Sequence, residues 1–135
     1  MQKVVVVGLG YVGNPLALSI AKIGFRLVGV DSSHAKVSSF LKSVQHSSFD
    51  FDSEVCAHTS YQLALNDDID IIIFCLPTPL LRGKPDYSIL FEAFKKTHVM
   101  LPKKALIIIE STVGTSFTRS ITKYFPKNDL AFSPE

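Results

Sequence analysis

The chain has 135 residues, enough for one domain that buries about two thirds of the surface of its unfolded chain. The net charge of +2, without any basic cluster, argues against nucleic acid as a partner. No apolar stretch reaches the roughly 18 residues of a membrane span, and no secretory leader is evident at the N-terminus. The two cysteines and four histidines lack the spacing of a disulfide framework or a metal site. We therefore expect a cytoplasmic protein with no bound metal and no membrane contact.

The N-terminal segment combines a strand with a glycine-rich turn. Residues 4–7 are four valines, typical of a buried parallel strand, and the sequence GLGYVG follows directly. Glycine at positions 8, 10 and 13 permits a tight turn, close approach of the backbone to a pyrophosphate, and close packing of the next helix on the sheet. That helix, predicted over 15–24, directs its free N–H groups towards the phosphates. The segment predicts a dinucleotide site that includes Gly8, Gly10 and Gly13, with a chance glycine turn as the alternative.

A second predicted strand, over 26–30, ends in Asp31, about 20 residues beyond the glycines, where a ribose-binding carboxylate is expected. The two carboxylate oxygens can accept hydrogen bonds from both ribose hydroxyls. A 2′-phosphate at this place would meet a like charge, so Asp31 predicts NAD rather than NADP as the cofactor. The alternative role for Asp31 is an N-cap of the next helix, although Ser32 or Ser33 could fill that role.

The rest of the chain alternates strands with helices. This alternation predicts an α/β domain of the Rossmann type, with a doubly wound, mostly parallel sheet and helices on both faces. Further strands are predicted over 54–58, 69–76, 106–109 and 130–132, and helices over 35–42, 61–66, 84–100 and 115–125. Residues 43–53 are interpreted as a surface excursion, Thr59-Ser60 as the N-cap of the helix at 61, and Cys75 as a small buried side chain.

Two prolines end the predicted strand over 69–76. In Pro77-Thr78-Pro79 each proline restricts the residue before it, which makes the loop stiff. The loop leaves the carboxyl end of a strand, where open α/β sheets bind ligands. We therefore predict that Pro77 and Thr78 belong to the cofactor site, with a plain strand terminator as the alternative.

Four motifs occur in order at the ends of predicted strands: GLGYVG, CLPTP at 75–79, ESTVGT at 110–115 and SPE at 133–135. With this set, residues 1–135 are similar to the N-terminal NAD-binding domain of the UDP-glucose/GDP-mannose dehydrogenase family. Members of that family oxidise the C6 hydroxymethyl group of a nucleotide sugar to a carboxylate with two NAD, a step in polysaccharide biosynthesis. The resemblance implies NAD as the cofactor of this chain.

The resemblance also implies roles for single residues on the cofactor side. Tyr11 and Val12 would offer backbone amides to the pyrophosphate. Asp31 would hold the adenosine ribose, with Lys36 nearby, and Thr78 would lie along the cofactor.

At the reacting end, the resemblance implies that Ser111 and Thr112 contact the cofactor. Thr112 would also hold a water or an oxyanion. Glu135 would act as the base for the hydrolytic water through Thr112, so Thr112 and Glu135 are the expected catalytic residues. The alternative for Glu135 is a C-terminal residue without fixed structure.

The chain departs from the family pattern in what it lacks. A central helical domain and a C-terminal domain, which carry a lysine, an asparagine and the nucleophilic cysteine, are absent from these 135 residues. Covalent catalysis needs an activated thiolate beside its base. We therefore expect the chain to bind NAD, to bind a UDP-sugar only together with the missing domains, and to be inactive alone. Apolar surface left uncovered by those domains predicts a homo-oligomer.

Smaller departures concern loops. Gly114 follows Val113 directly, where the family usually has a Pro-Gly element, so the loop looks shortened. The compact excursion over 43–53 and the leucine after Pro79 favour the UDP-N-acetylhexosamine branch. Two alternatives remain: a stand-alone nucleotide-binding module that regulates or complements a partner, and a β-hydroxyacid dehydrogenase, which shares the glycine motif but leaves PTP and STV unexplained.

Overall fold

The computed structural model describes residues 1–49, 51, 54–65 and 68–134. The elements, in chain order, are β1 (Lys3–Val7), α1 (Gly13–Lys22), β2 (Arg26–Val30), α2 (His34–Gln45), β3 (Val55–His58), α3 (Tyr61–Ala64), β4 (Ile71–Phe74), β5 (Leu80–Leu81), β6 (Lys84–Pro85), α4 (Ser88–Thr97), β7 (Leu106–Ile109), α5 (Thr115–Ile121) and β8 (Leu130–Phe132). Within these described residues, none of the helices has both the length and the apolar character needed to cross a membrane.

Six of the strands form one parallel sheet in the order β3-β2-β1-β4-β7-β8. The central strand β1 pairs with β2 on one side and with β4 on the other, so the direction of winding reverses beside β1. A reversal of this kind opens a crevice at the carboxyl ends of the strands. The predicted Rossmann-type, doubly wound fold is confirmed.

Alternate valines of β1 serve the two faces of the sheet. Val5 and Val7 pack with buried residues of α4 and α5, whereas Val4 and Val6 pack with buried residues of α1 and α2. Because successive side chains of a strand point to opposite faces, an unbroken valine run is buried only where helices cover both faces. This double burial explains why β1 reads as a continuous apolar run.

Several predicted boundaries are wrong. Helix α1 begins at Gly13 rather than 15. Helix α2 continues to Gln45, so residues 43–45 are helical instead of part of a surface excursion, because Val44 packs against the core. Residues 50, 52 and 53 of that predicted excursion lie outside the described part of the chain. The strand predicted over 69–76 is limited to Ile71–Phe74.

The segment 84–87 is not helical as predicted. Residues 84–85 pair with 80–81 as a short antiparallel hairpin, and α4 begins only at Ser88. The turn residues Arg82 and Gly83 both have positive φ, 51° and 74°. Two positive φ values are typical of the tight turns that join hairpin strands.

Two predicted helices, over 61–66 and 115–125, end early, at Ala64 and Ile121. Leu65 and Phe125 are nevertheless buried beyond those helix ends. The apolar pattern that extended both predictions therefore reflects core packing rather than continued helix. Residue 66 lies outside the described part of the chain.

Candidate functional site

A cleft of about 1500 Å³ runs along the carboxyl edge of the sheet. Its walls come from residues that follow β1, β2, β3, β4 and β7, together with one face of α4. It is lined by ten of the predicted site residues: Gly8, Gly10, Tyr11, Val12, Asp31, Lys36, Pro77, Thr78, Ser111 and Thr112. The predicted Gly13 is buried at the start of α1, behind the lining. Glu135, the predicted base, lies outside the described residues.

The three glycines of the turn have different surroundings. Gly8 has a φ of +95°, and a Cβ atom there would overlap the carbonyl oxygen of Cys75. A Cβ atom on Gly13 would overlap the carbonyl oxygen of Gly8, whereas one on Gly10 would meet no atom of the described chain within 4 Å. The first and third glycines therefore serve the turn and the packing of α1. Gly10 leaves open space towards the cleft, which fits the close approach of a pyrophosphate.

The N-terminus of α1 faces this space without a competing acid. Val12 is the N-cap residue and makes no side-chain capping bond, and the first turn contains no acidic residue. The Asn14 amide already donates to the Gly10 carbonyl oxygen at 3.0 Å, so the remaining N–H groups at this end and the positive end of the helix dipole are available to an anion. Tyr11, beside them, is fully exposed. Backbone and charge at this point fit the diphosphate of a dinucleotide.

Asp31 is a buried, anchored carboxylate. Its Oδ2 accepts a hydrogen bond from the Leu9 amide and its Oδ1 one from the Ser33 amide, each at 2.9 Å. The Nζ of Lys36 lies 3.6 Å from Oδ2. The N-cap of α2 is Ser33, whose Oγ accepts from the Lys36 amide, so the alternative role of Asp31 as the cap of that helix is wrong. Each carboxylate oxygen keeps a second lone pair for a ligand hydroxyl.

The end of β3 adds cleft residues that the sequence analysis missed. Thr59, Ser60 and Tyr61 all line the cleft. Burial, and then the negative charges of Asp31 and Glu92, raise the pKa of Tyr61 to about 12, so its phenol stays neutral at physiological pH. Ser60 is the N-cap residue of α3, as predicted, although its side chain makes no capping bond. The available signal for Thr59 and Ser60 was their position at the carboxyl end of a parallel strand.

The loops after β4 and β7 are tied together. Ser111 is buried; its hydroxyl donates to the carbonyl oxygen of Phe74 at 3.3 Å and accepts from the Leu76 amide at 2.9 Å. The Thr78 hydroxyl donates to the carbonyl oxygen of Thr112 at 2.8 Å. These bonds bring the PTP and STV motifs together at one end of the cleft, opposite Asp31 across the glycine turn.

Helix α4 and one of the two cysteines also contribute to the cleft. Ser88, Ile89 and Glu92 of α4 line the cleft, although none of them is among the predicted site residues. Cys75 is half-buried and also lines the cleft, rather than being a fully buried side chain. Cys56 is half-buried away from the cleft, and burial raises the pKa of its thiol.

Comparisons with known proteins agree with this geometry. The sequence model of the UDP-glucose/GDP-mannose dehydrogenase family, NAD binding domain, matches residues 2–133. A UDP-N-acetyl-D-mannosamine dehydrogenase of Methanocaldococcus jannaschii is 31% identical over 151 aligned positions, which cover 99% of this chain and 34% of that protein.

Two solved structures are similar across nearly the whole chain. The UDP-D-ManNAc dehydrogenase of Pyrococcus horikoshii superposes with a TM-score of 0.75 at 25% sequence identity. The superposition covers 99% of this chain and 36% of that protein. A ternary complex of GDP-mannose dehydrogenase from Pseudomonas aeruginosa superposes with a TM-score of 0.78 at 21% sequence identity. The superposition covers 100% of this chain and 36% of that protein, and at this identity it shows a shared fold alone. The chain thus spans about a third of the length of the relatives it matches. Since the match covers the glycine turn and every strand of the cleft, the chain belongs to the UDP-glucose/GDP-mannose dehydrogenase family, as an NAD-binding domain.

Proposed function

We propose that this domain holds NAD for a nucleotide-sugar 6-dehydrogenase that oxidises the C6 hydroxymethyl group of a UDP-N-acetylhexosamine to a carboxylate. The observation that carries the proposal is one continuous cleft, which joins Gly10, Asp31 and Thr112 along the carboxyl edge of the sheet. The names of similar proteins, UDP-N-acetyl-D-mannosamine dehydrogenases, support this sugar class.

In this proposal the cleft has two halves on either side of the glycine turn. The adenosine half contains Asp31 and Lys36, which receive the ribose, and Gly10 to Val12 offer the backbone to the pyrophosphate. The reacting half contains Thr78, Ser111 and Thr112, which receive the nicotinamide end. NAD, when bound, supplies a hydride acceptor there, and the chain's own residues orient it.

We further propose that Thr112 holds a water or an oxyanion at the reacting half and that Glu135 acts on that water as a base through Thr112. The nucleophilic thiol would come from domains beyond this one. Burial raises the pKa of Cys56 and favours the unreactive thiol, and this residue lies outside the cleft. The UDP-sugar would bind only with those further domains, and the chain alone would not oxidise it. Production of NADH from UDP-sugars by the chain alone would overturn this part.

We also propose a compartment, a pathway and an oligomeric state for this protein. We place the protein in the cytoplasm, where thiols stay reduced, since no disulfide joins its two described cysteines. We place its activity in polysaccharide biosynthesis, as the family resemblance implies. Exposed Leu80 and Leu81 on the hairpin, 73% and 63% accessible, support self-association. Sedimentation that shows only monomers at high concentration would remove the homo-oligomer.

The test of cofactor choice is calorimetric titration of the chain with NAD and with NADP. NAD should bind at least about tenfold more tightly, because a 2′-phosphate beside Asp31 costs on the order of 1.4 kcal/mol or more. Replacement Asp31→Asn should narrow this preference, since it removes the charge.

Asp86→Asn is the matched control. Asp86 is a partly exposed carboxylate outside the cleft that also accepts a backbone amide bond, from Ser88 at 2.9 Å. This variant should keep the wild-type preference for NAD. Failure of the wild-type chain to bind NAD, or tighter binding of NADP, contradicts the proposal.

A further inference from the structure

Tyr87, at the N-cap position of α4, connects this helix to the loop that follows β7. Its hydroxyl oxygen accepts a hydrogen bond from the Gly114 amide at 2.9 Å. Its ring lies against the Phe117 ring of α5, with 4.4 Å between centroids. Tyr87 itself is not among the cleft-lining residues, so an effect of its hydroxyl on a ligand must pass through a neighbouring group, and the Gly114 amide is the group to which it is bonded.

The loop at 110–114 carries Glu110, Ser111 and Thr112 into the cleft. Its middle is tied to the Thr78 hydroxyl through the carbonyl oxygen of Thr112. Its far end, Gly114, is the N-cap of α5 and has no side chain with which to cap that helix. The hydroxyl of Tyr87 is thus the side-chain acceptor of the Gly114 amide and helps to hold this end, beside Val113, which packs against the core. A loop that is tied at its middle and at its end has few alternative conformations.

We propose that Tyr87 is a positioning residue, which holds the 110–114 loop through the Gly114 amide and thereby fixes Thr112 at the reacting half of the cleft. This inference rests on the proposed function, because it assumes that the nicotinamide end of NAD meets this loop. The tie compensates for a loop that lacks the Pro-Gly element usual before α5. Loss of the hydroxyl should weaken ligand binding in the reacting half. Binding in the adenosine half, which lies further along the same sheet edge, should stay unchanged.

The test uses Tyr87→Phe, which keeps the ring on Phe117 and removes only the hydroxyl. Titration with NAD should show affinity about two- to tenfold lower than wild type, the range of one lost hydrogen bond. Titration with ADP, which lacks the nicotinamide end, should show no change. Tyr124→Phe is the matched control, because the Tyr124 ring belongs to the same aromatic group, with 5.9 Å between its centroid and that of Phe91, but its hydroxyl makes no described hydrogen bond to the 110–114 loop.

Hydrogen exchange gives a second readout, measured first on the wild-type chain and then on Tyr87→Phe. The Gly114 amide should be protected there, and in Tyr87→Phe it should exchange at least about tenfold faster, with no change for amides of the glycine turn. Equal NAD affinities of the wild type and Tyr87→Phe, parallel losses for NAD and ADP, or an unprotected Gly114 amide in the wild type would each overturn the inference. Absence of NAD binding by the wild type would instead remove the proposed function, and this inference with it.

Discussion

The two halves of the cleft are built in different ways. In the adenosine half, Asp31 is fixed by amides of Leu9 and Ser33 and paired with Lys36, all within the β1-α1-β2 unit and the start of α2. In the reacting half, the bonds Leu76–Ser111 and Thr78–Thr112 join residues 35 and 34 positions apart. The adenosine half is therefore fixed by one βαβ unit. The reacting half exists only when β4 and β7 lie side by side in the sheet.

This difference has a consequence for stability. The bonds of the reacting half depend on the long-range register Phe74↔Ile109 between β4 and β7. Disturbance of the sheet there should displace Ser111 and Thr112 together, because their loop follows β7 directly. Disturbance of the glycine turn, which lies between the halves, should affect both.

The largest effect is expected for Gly13→Ala. The new Cβ would overlap the backbone carbonyl oxygen of Gly8, which cannot move aside as a side chain could, so α1 must shift off the sheet. We expect the free energy of unfolding to fall by about 3 kcal/mol, at the upper end for overpacking. NAD binding should be lost, because the glycine turn lies between the two halves of the cleft and its displacement affects both. Urea denaturation and calorimetric titration provide the two measurements.

Gly10→Ala is the matched control for that change. Its Cβ would meet no described atom within 4 Å, so unfolding should be almost unaffected while NAD binding weakens. If both alanine variants unfold at the same urea concentration, the assignment of separate roles to the two glycines is wrong.

The sequence predicted which residues of the adenosine half lie together at the cleft, because their determinants are local. The spacing of Gly8, Gly10, Gly13 and Asp31 identified the turn and the acid, and both line or support the cleft. Each requirement there is a backbone conformation or a charge at a fixed offset from one strand, which a sequence displays directly.

The reacting half was predicted only in part. The order of the motifs brought Thr78 and Ser111 to one edge, but the partners of their hydroxyls depend on strand order, which residue patterns do not reveal. The same limit hid the bond between Tyr87 and Gly114 and the hairpin at 80–85, whose turn places Arg82, a non-glycine residue, at positive φ. Tertiary packing also decided where α2, α3 and α5 end.

A smaller effect is expected for Ser111→Ala, which removes the side-chain hydrogen bonds of Ser111 to Phe74 and Leu76 between the ends of β4 and β7. The variant leaves the Leu76 amide without its hydroxyl acceptor, and the unfolding free energy should drop by about 1–2 kcal/mol. Affinity for NAD should fall more than affinity for ADP, because only the reacting half is disturbed. Ser19→Ala is the control, since the hydroxyl of that exposed serine donates within α1, to the Pro15 carbonyl oxygen, rather than to another element. Equal losses for NAD and ADP would mean that the two halves are not separable.

The smallest effect concerns pH and the adenosine half. The folded-state pKa of Tyr61, about 12, lies above the ordinary value of 10, so the neutral phenol is favoured by folding. Its stabilising contribution is complete below pH 10 and is lost as the pH rises through 12; with allowance for solvent screening it amounts to about 1 kcal/mol. The unfolding free energy of the wild type should therefore fall faster than that of Tyr61→Phe between pH 10 and 12.

Ultraviolet titration of the four tyrosines gives the direct measurement. In the wild type, one tyrosine should deprotonate about two pH units above the ordinary tyrosine pKa of 10. This late transition should be absent from the titration of Tyr61→Phe. Asp31→Asn should lower the pKa of Tyr61 only in part, because burial is the larger cause and the Asp31 charge the second. A complete return to 10 in Asp31→Asn would mean that charge, rather than burial, controls this side of the cleft. In the adenosine half, the effect of the Asp31 charge on the Tyr61 phenol would then exceed the effect of burial.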